Sequence, residues 1–91
     1  MRVRWTSPAQ RDLHRIFDFL SSDNPETARA MVSMLLDAPE RLENLPRIGE
    51  RLSTIEVREV RRLIIGRYEI RYEILSETIR ILRIWHTREQ R

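Results

Sequence analysis

The 91-residue chain has no cysteine and no lysine, and only two glycines and two histidines. Without cysteine, neither a disulfide framework nor a thiolate-held metal can form, so nothing points to an oxidising compartment. His14 and Asp18 stand four apart on one predicted helix face, but two histidines without cysteine make a poor ligand set, and no metal or other cofactor is expected. The stretch from Pro46 to Glu56 holds a single glycine and cannot form a loop that cradles nucleotide phosphates. Ser7, Asp12 and His14 do not make a hydrolase triad, because no strained nucleophile elbow accompanies them and Ser7 serves better as a helix cap. No apolar run approaches the roughly 20 residues of a membrane span, and the opening MRVRWTSPAQ lacks the apolar core of a secretion signal. A soluble cytoplasmic protein with no membrane partner is expected.

What is present is one small domain, residues 1–91, whose 17 basic residues are all arginine against 14 acidic ones, a net charge of +3. Arginine grips carboxylates and phosphates through a planar fork and stacks on aromatic rings, so an anion-binding or acidic-partner surface is one reading. A coding bias toward arginine is the plainer one. The acidic residues are interleaved with the basic ones, which excludes a simple basic tail.

Arg2 to Trp5 alternates and reads as a short strand. Ser7-Pro8-Ala9-Gln10 predicts a helix start, with Ser7 as N-cap, and the helix runs to about Ser22 with Ala9, Leu13, Ile16, Phe17 and Leu20 as its apolar stripe. Asn24-Pro25-Glu26 starts a second helix carrying Ala28, Val32, Leu35, Leu36, Leu42 and Leu45, flanked by Met31 and Met34. Pro39 predicts a kink near Leu35 to Ala38, or two helices. Pro46-Arg47-Ile48-Gly49 closes it, and residues 47–56 read as the longest irregular stretch. Strands follow at Val57 to Ile65, Arg67 to Leu75 and Ile79 to His86, with Gly66 at a tight turn. The middle strand places Tyr68, Ile70, Tyr72 and Ile74 on one face and Arg67, Glu69, Arg71 and Glu73 on the other. The last places Ile79, Ile81 and Trp85 against Leu82 and Ile84, so neither of its sides is polar. The expected fold is α+β, β-α-α-β-β-β, with an αα-hairpin on one face of a mainly antiparallel four-stranded sheet.

That order, with Ser7-Pro8-Ala9-Gln10-Arg11-Asp12-Leu13, Asn24-Pro25, Pro46-Arg47-Ile48-Gly49, Arg58-Glu59-Val60, Tyr68-Glu69-Ile70-Arg71-Tyr72 and Ile84-Trp85-His86-Thr87-Arg88, resembles the RelE/ParE superfamily of toxins from type II toxin–antitoxin, or plasmid stabilisation, pairs. The resemblance spans nearly the whole chain and implies a cognate antitoxin as partner, with operator DNA met only indirectly through it. RelE-like members cut mRNA on the ribosome with basic and acid–base side chains on the sheet. ParE-like members lack that set and poison DNA gyrase. Here Glu69 stands after the strand tyrosine, where RelE-type enzymes carry a cation, and Glu89-Gln90-Arg91 offers no counterpart of the C-terminal tyrosine some of them use. The resemblance therefore implies the ParE branch and no confident catalytic residue, with a ribosome-dependent endoribonuclease as the alternative and a relative that no longer poisons as a third.

Were the chain a nuclease, His86, Arg88 and Arg62 are the candidates, His86 as general acid or base; the plainer role for His86 is to close the sheet through backbone hydrogen bonds. Trp85 reads as a stacking platform or as packing, and Arg58, Arg83 and Arg88 as a phosphate or antitoxin contact or as cross-strand ion pairs with Glu59, Glu69 and Glu73. Arg58, Arg71, Arg83, Trp85, Met31 and Met34 are the expected partner-binding residues.

Overall fold

Five strands form one sheet in the order β1-β5-β4-β3-β2, with β1 parallel to β5 and the other pairs antiparallel. The computed structural model describes residues 1–52 and 57–89. Its elements are β1 (Arg2–Trp5), α1 (Ser7–Ser21), α2 (Pro25–Asn44), β2 (Glu50–Arg51), β3 (Glu59–Ile65), β4 (Tyr68–Ile74) and β5 (Thr78–His86). The expected α+β class holds, with one strand more than expected: β2 pairs with Arg61 and Arg62 of β3 inside what reads as an irregular stretch. Residues 53–56 of that stretch, and Gln90 and Arg91, lie outside the described residues. Strand β3 begins at Glu59, two residues later than the sequence suggests, and Val57 is exposed.

The helix starts follow from side-chain oxygens that satisfy otherwise unpaired amides. The N-cap of α1 is Thr6 rather than Ser7: its hydroxyl accepts from the Ala9 amide at 3.2 Å and also reaches the Ile81 carbonyl at 2.8 Å, tying the helix start to β5. Asn24 caps α2 as expected, accepting from the Glu26 and Thr27 amides. Pro39 neither splits α2 nor ends it. It deprives the Leu35 carbonyl of its helical N–H partner, a cost offset by burying Leu35, Ala38, Pro39 and Leu42.

Both helices lie on one face of the sheet, where Tyr68, Ile70, Tyr72, Ile74, Ile79, Ile81 and Ile84 meet Ala9, Ile16, Leu35, Ala38 and Leu42. On β5, Ile81 pairs with Tyr72 while Arg83 pairs with Arg71, so Leu82 is an extra residue, a β-bulge. The bulge moves the inward set from odd to even positions. It explains why no unbroken alternation fits this strand: Ile84 and His86 face the helices with Ile79 and Ile81, whereas Arg83 and Trp85 turn to the opposite face. The sequence grouping of Trp85 with Ile79 and Ile81 is corrected accordingly. Gly66 turns the β3–β4 hairpin at φ +59°, and no other residue has positive φ among those described; a two-residue loop with this sign at its first position is of the II′ kind. No helix among the described residues is long and apolar enough to cross a membrane.

Candidate functional site

The face of the sheet turned away from the helices carries mainly charged side chains. Register places Arg2 and Arg4 of β1, Thr78, Arg80, Arg83 and Trp85 of β5, Glu69, Arg71 and Glu73 of β4, Val60, Arg62 and Ile64 of β3, and Glu50 of β2 on it. Glu69 and Glu73, expected on a solvated side, are 1% and 4% exposed. A carboxylate this buried needs cations, and β4 itself, β3 and the segment leading into β3 supply them. Arg71 donates to Glu69 at 2.7 Å, Arg62 lies 3.7 Å from it, and Arg58 forks onto Glu73 at 2.6 and 2.9 Å. The Arg58 fork, more than offsetting burial, holds the Glu73 carboxyl below its usual range. Cross-strand ion pairs are thus present for Arg58 and Glu73.

Trp85 lies opposite Glu69, with the guanidinium carbons of Arg71 and Arg83 at 4.7 and 5.1 Å from its ring centroid. These are cation–π distances. Arg83 also reaches the edge of β5 beyond the end of β1, where it forks onto Asp12 of α1 at 2.7 and 3.1 Å. The same carboxylate accepts from the Ile84 amide at 2.9 Å. Asp12, which is not part of the apolar stripe of α1, is therefore a buried staple between that helix and the bulge. Its burial raises the carboxyl, but the Arg83 and Ile84 hydrogen bonds and the charges of Arg83 and Arg15 bring it below the usual aspartate range.

His86 faces the other way. Its ring packs edge-on against Tyr68 with centroids 5.4 Å apart, its Nδ1 accepts from the Arg88 amide, and Glu89 accepts from its backbone amide. Arg15, Ile16, Phe19, Tyr68, His86 and Glu89 line a hollow of about 340 Å³ there. His86 and Arg62 consequently lie on opposite faces, and Arg88 sits in the turn that His86 closes. Arg58, Arg83 and Arg88 do not converge: the first two are held by Glu73 and Asp12.

Met31 packs against the core, whereas Met34 is half-exposed and lines a groove of about 350 Å³ between α2 and β3 with Asp37, Ala38, Arg41, Ile64, Ile65 and Gly66. At the far end of the sheet lies a second network that the sequence reading missed. The buried Tyr72 hydroxyl donates to the Pro46 carbonyl at 2.7 Å and accepts from the Gly49 amide at 3.0 Å, while Arg61 donates to the Gly49 carbonyl. Burial pushes the Tyr72 phenol up. A Cβ at Gly49 would stand 2.6 Å from both the Arg62 carbonyl and the Tyr72 oxygen, so only glycine fits. The Pro-x-x-Gly spacing was the signal for this clamp.

A sequence profile described as "ParE toxin of type II toxin-antitoxin system, parDE" matches residues 3–91. Among solved structures, a chain of the chromosomal ParDE toxin–antitoxin system from P. aeruginosa is similar with TM-score 0.71 and 26% identity, covering 94% of this chain and 95% of that one. A chain of the toxin–antitoxin complex RelBE2 from Mycobacterium tuberculosis is similar with TM-score 0.64 and 32% identity, covering 93% and 95%. Comparison with curated proteins finds no match.

Proposed function

The chain belongs to the ParE toxins of type II toxin–antitoxin systems, and on that premise we propose that it is held inactive by a cognate antitoxin and poisons DNA gyrase when released. The observation that carries the gyrase reading is the way the sheet divides its chemistry. General acid–base work on a phosphodiester needs a solvent-accessible imidazole or carboxylate beside cations free to reach the phosphate. Here the nuclease set expected from sequence is split, with His86 on the helix side and Arg62 on the other, and the Glu69 carboxylate beside Arg62 and Arg71 is 1% exposed and already held by them. This supports a docking protein over a nuclease. The two solved structures named above are of toxin–antitoxin systems, which supports the antitoxin as partner. The α2–β3 groove, with Met34 and Ile64 half-exposed beside Asp37 and Arg41, suits an amphipathic antitoxin segment.

The 32% identity to a chain of the RelBE2 complex favours a second reading, a ribosome-dependent endoribonuclease using His86, Arg88 and Arg62. Induction of the chain without antitoxin separates the two. Filamentation with gyrase trapped on broken DNA is expected; translation-dependent mRNA cuts abolished by His86→Ala or Arg88→Ala would overturn the gyrase reading.

A further inference from the structure

Among the described residues, one surface gathers an excess of arginine. The sheet face away from the helices gathers Arg2, Arg4, Arg58, Arg62, Arg71 and Arg80 against Glu50, Glu69 and Glu73, while Arg83 is neutralised by Asp12. Six cations against three anions leave +3 among these residues. Glu69 and Glu73 are buried beneath the arginines, and each guanidinium has five N–H donors, so the fork that holds Arg58 on Glu73 and the single bond from Arg62 to the exposed Glu50 leave donors unused. At the β1–β5 corner Arg2 and Arg4 have no ion-pair partner among the described residues, and Arg80 has only Glu73 at 3.9 Å; Glu77 borders the corner from the adjoining turn.

We propose that this face binds the phosphate backbone of duplex DNA directly, without reading sequence. Its chemistry selects that partner over the others an arginine surface can meet. An acidic polypeptide docks around an apolar centre, but the strand positions of the corner are Arg2, Arg4, Thr78 and Arg80, with no apolar side chain among them. Unpaired RNA or DNA needs a free aromatic platform, and the Trp85 ring already carries the guanidiniums of Arg71 and Arg83. Five strands at about 4.8 Å spacing make a face roughly 19 Å across, wide enough to lie along a duplex.

The proposal is independent of the gyrase reading, because naked DNA is the probe: failure of either leaves the other standing. Anisotropy of a labelled 20-base-pair duplex is followed as the full-length chain is added at several salt concentrations. If each net charge neutralises one phosphate, log affinity falls with log salt at a slope of about −2.7, or about 40-fold between 50 and 200 mM. The double variant R4S/R80S should bring the slope to about −0.9, whereas R11S/R29S, which removes the same charge from the helices, should leave it unchanged. Circular dichroism melts establish that the variants are folded, and the wild-type slope stands without them. A wild-type slope shallower than −1, equal losses in the two double variants, tighter binding of single-stranded RNA than of duplex, or binding of polyglutamate without binding of DNA would each overturn the proposal.

Discussion

Replacing Asp12 by alanine should be among the most damaging single changes to this fold. It removes three things at once: the fork onto Arg83, the acceptor for the Ile84 amide, and a weaker pairing to Arg15 at 3.7 Å. The Ile84 N–H, buried at the bulge, would be left without a partner, at about 1 to 3 kcal/mol. Stranding one partner of a buried ion pair costs about 3 to 5 kcal/mol, but the Arg83 side chain is 43% exposed and water takes back much of that. The sum is about 2 to 4 kcal/mol, which for a domain of this size lowers Tm by roughly 10 to 25 °C. Asp12→Asn keeps an oxygen for Ile84 and should cost about half as much.

The pH dependence carries the same signature. Because the folded carboxyl sits below the ordinary aspartate value of 3.8, the folded state holds its proton less readily than the unfolded chain. The staple's contribution is complete above that value and is lost as pH falls through the lower folded pKa. Urea melts between pH 7 and pH 2 should therefore show wild type and the alanine variant converging in acid. An alanine variant within about 0.5 kcal/mol of wild type at pH 7, or a gap that persists unchanged to pH 2, would refute the reasoning.

Tyr72→Phe removes a hydroxyl that both donates and accepts, so the Pro46 carbonyl and Gly49 amide lose their partner; urea melts should show a loss of about 1 to 3 kcal/mol. Gly66→Ala tests the hairpin. The new Cβ would find only the Met31 methyl at 3.8 Å, so the expected loss of about 1 to 2 kcal/mol, read from the same melts, comes from the positive φ and not from a clash.

Local signals carried most of the architecture into the sequence. Asn24-Pro25-Glu26 begins α2 because its capping chemistry is complete within four residues, and the alternation of Tyr68, Ile70, Tyr72 and Ile74 marks the buried face of β4. Thr6 and Ser7 offer equivalent hydroxyls one residue apart, and only the distant Ile81 carbonyl distinguishes them. Strand β2 has two polar residues and exists because β3 offers it an edge. The bulge at Leu82 left a trace in the parity change from Ile79 and Ile81 to Ile84, but a single uninterrupted period conceals it. That one residue decides which face holds His86 and which holds Trp85. Burial of Asp12 and Glu73 was illegible because it depends on arginines distant in sequence, as that of Glu69 does in part through Arg62 of β3, and periodicity assigns any carboxylate to solvent.

The central claim, a gyrase-directed toxin without nuclease chemistry, is tested most directly by adding the purified chain to gyrase, ATP and supercoiled plasmid and measuring protein-linked linear DNA after denaturation. Linear DNA should accumulate with the wild-type chain and still accumulate with His86→Ala, and neither form should cut mRNA on translating ribosomes. No linear DNA from the wild-type chain, together with His86-dependent mRNA cleavage on ribosomes, would contradict the claim.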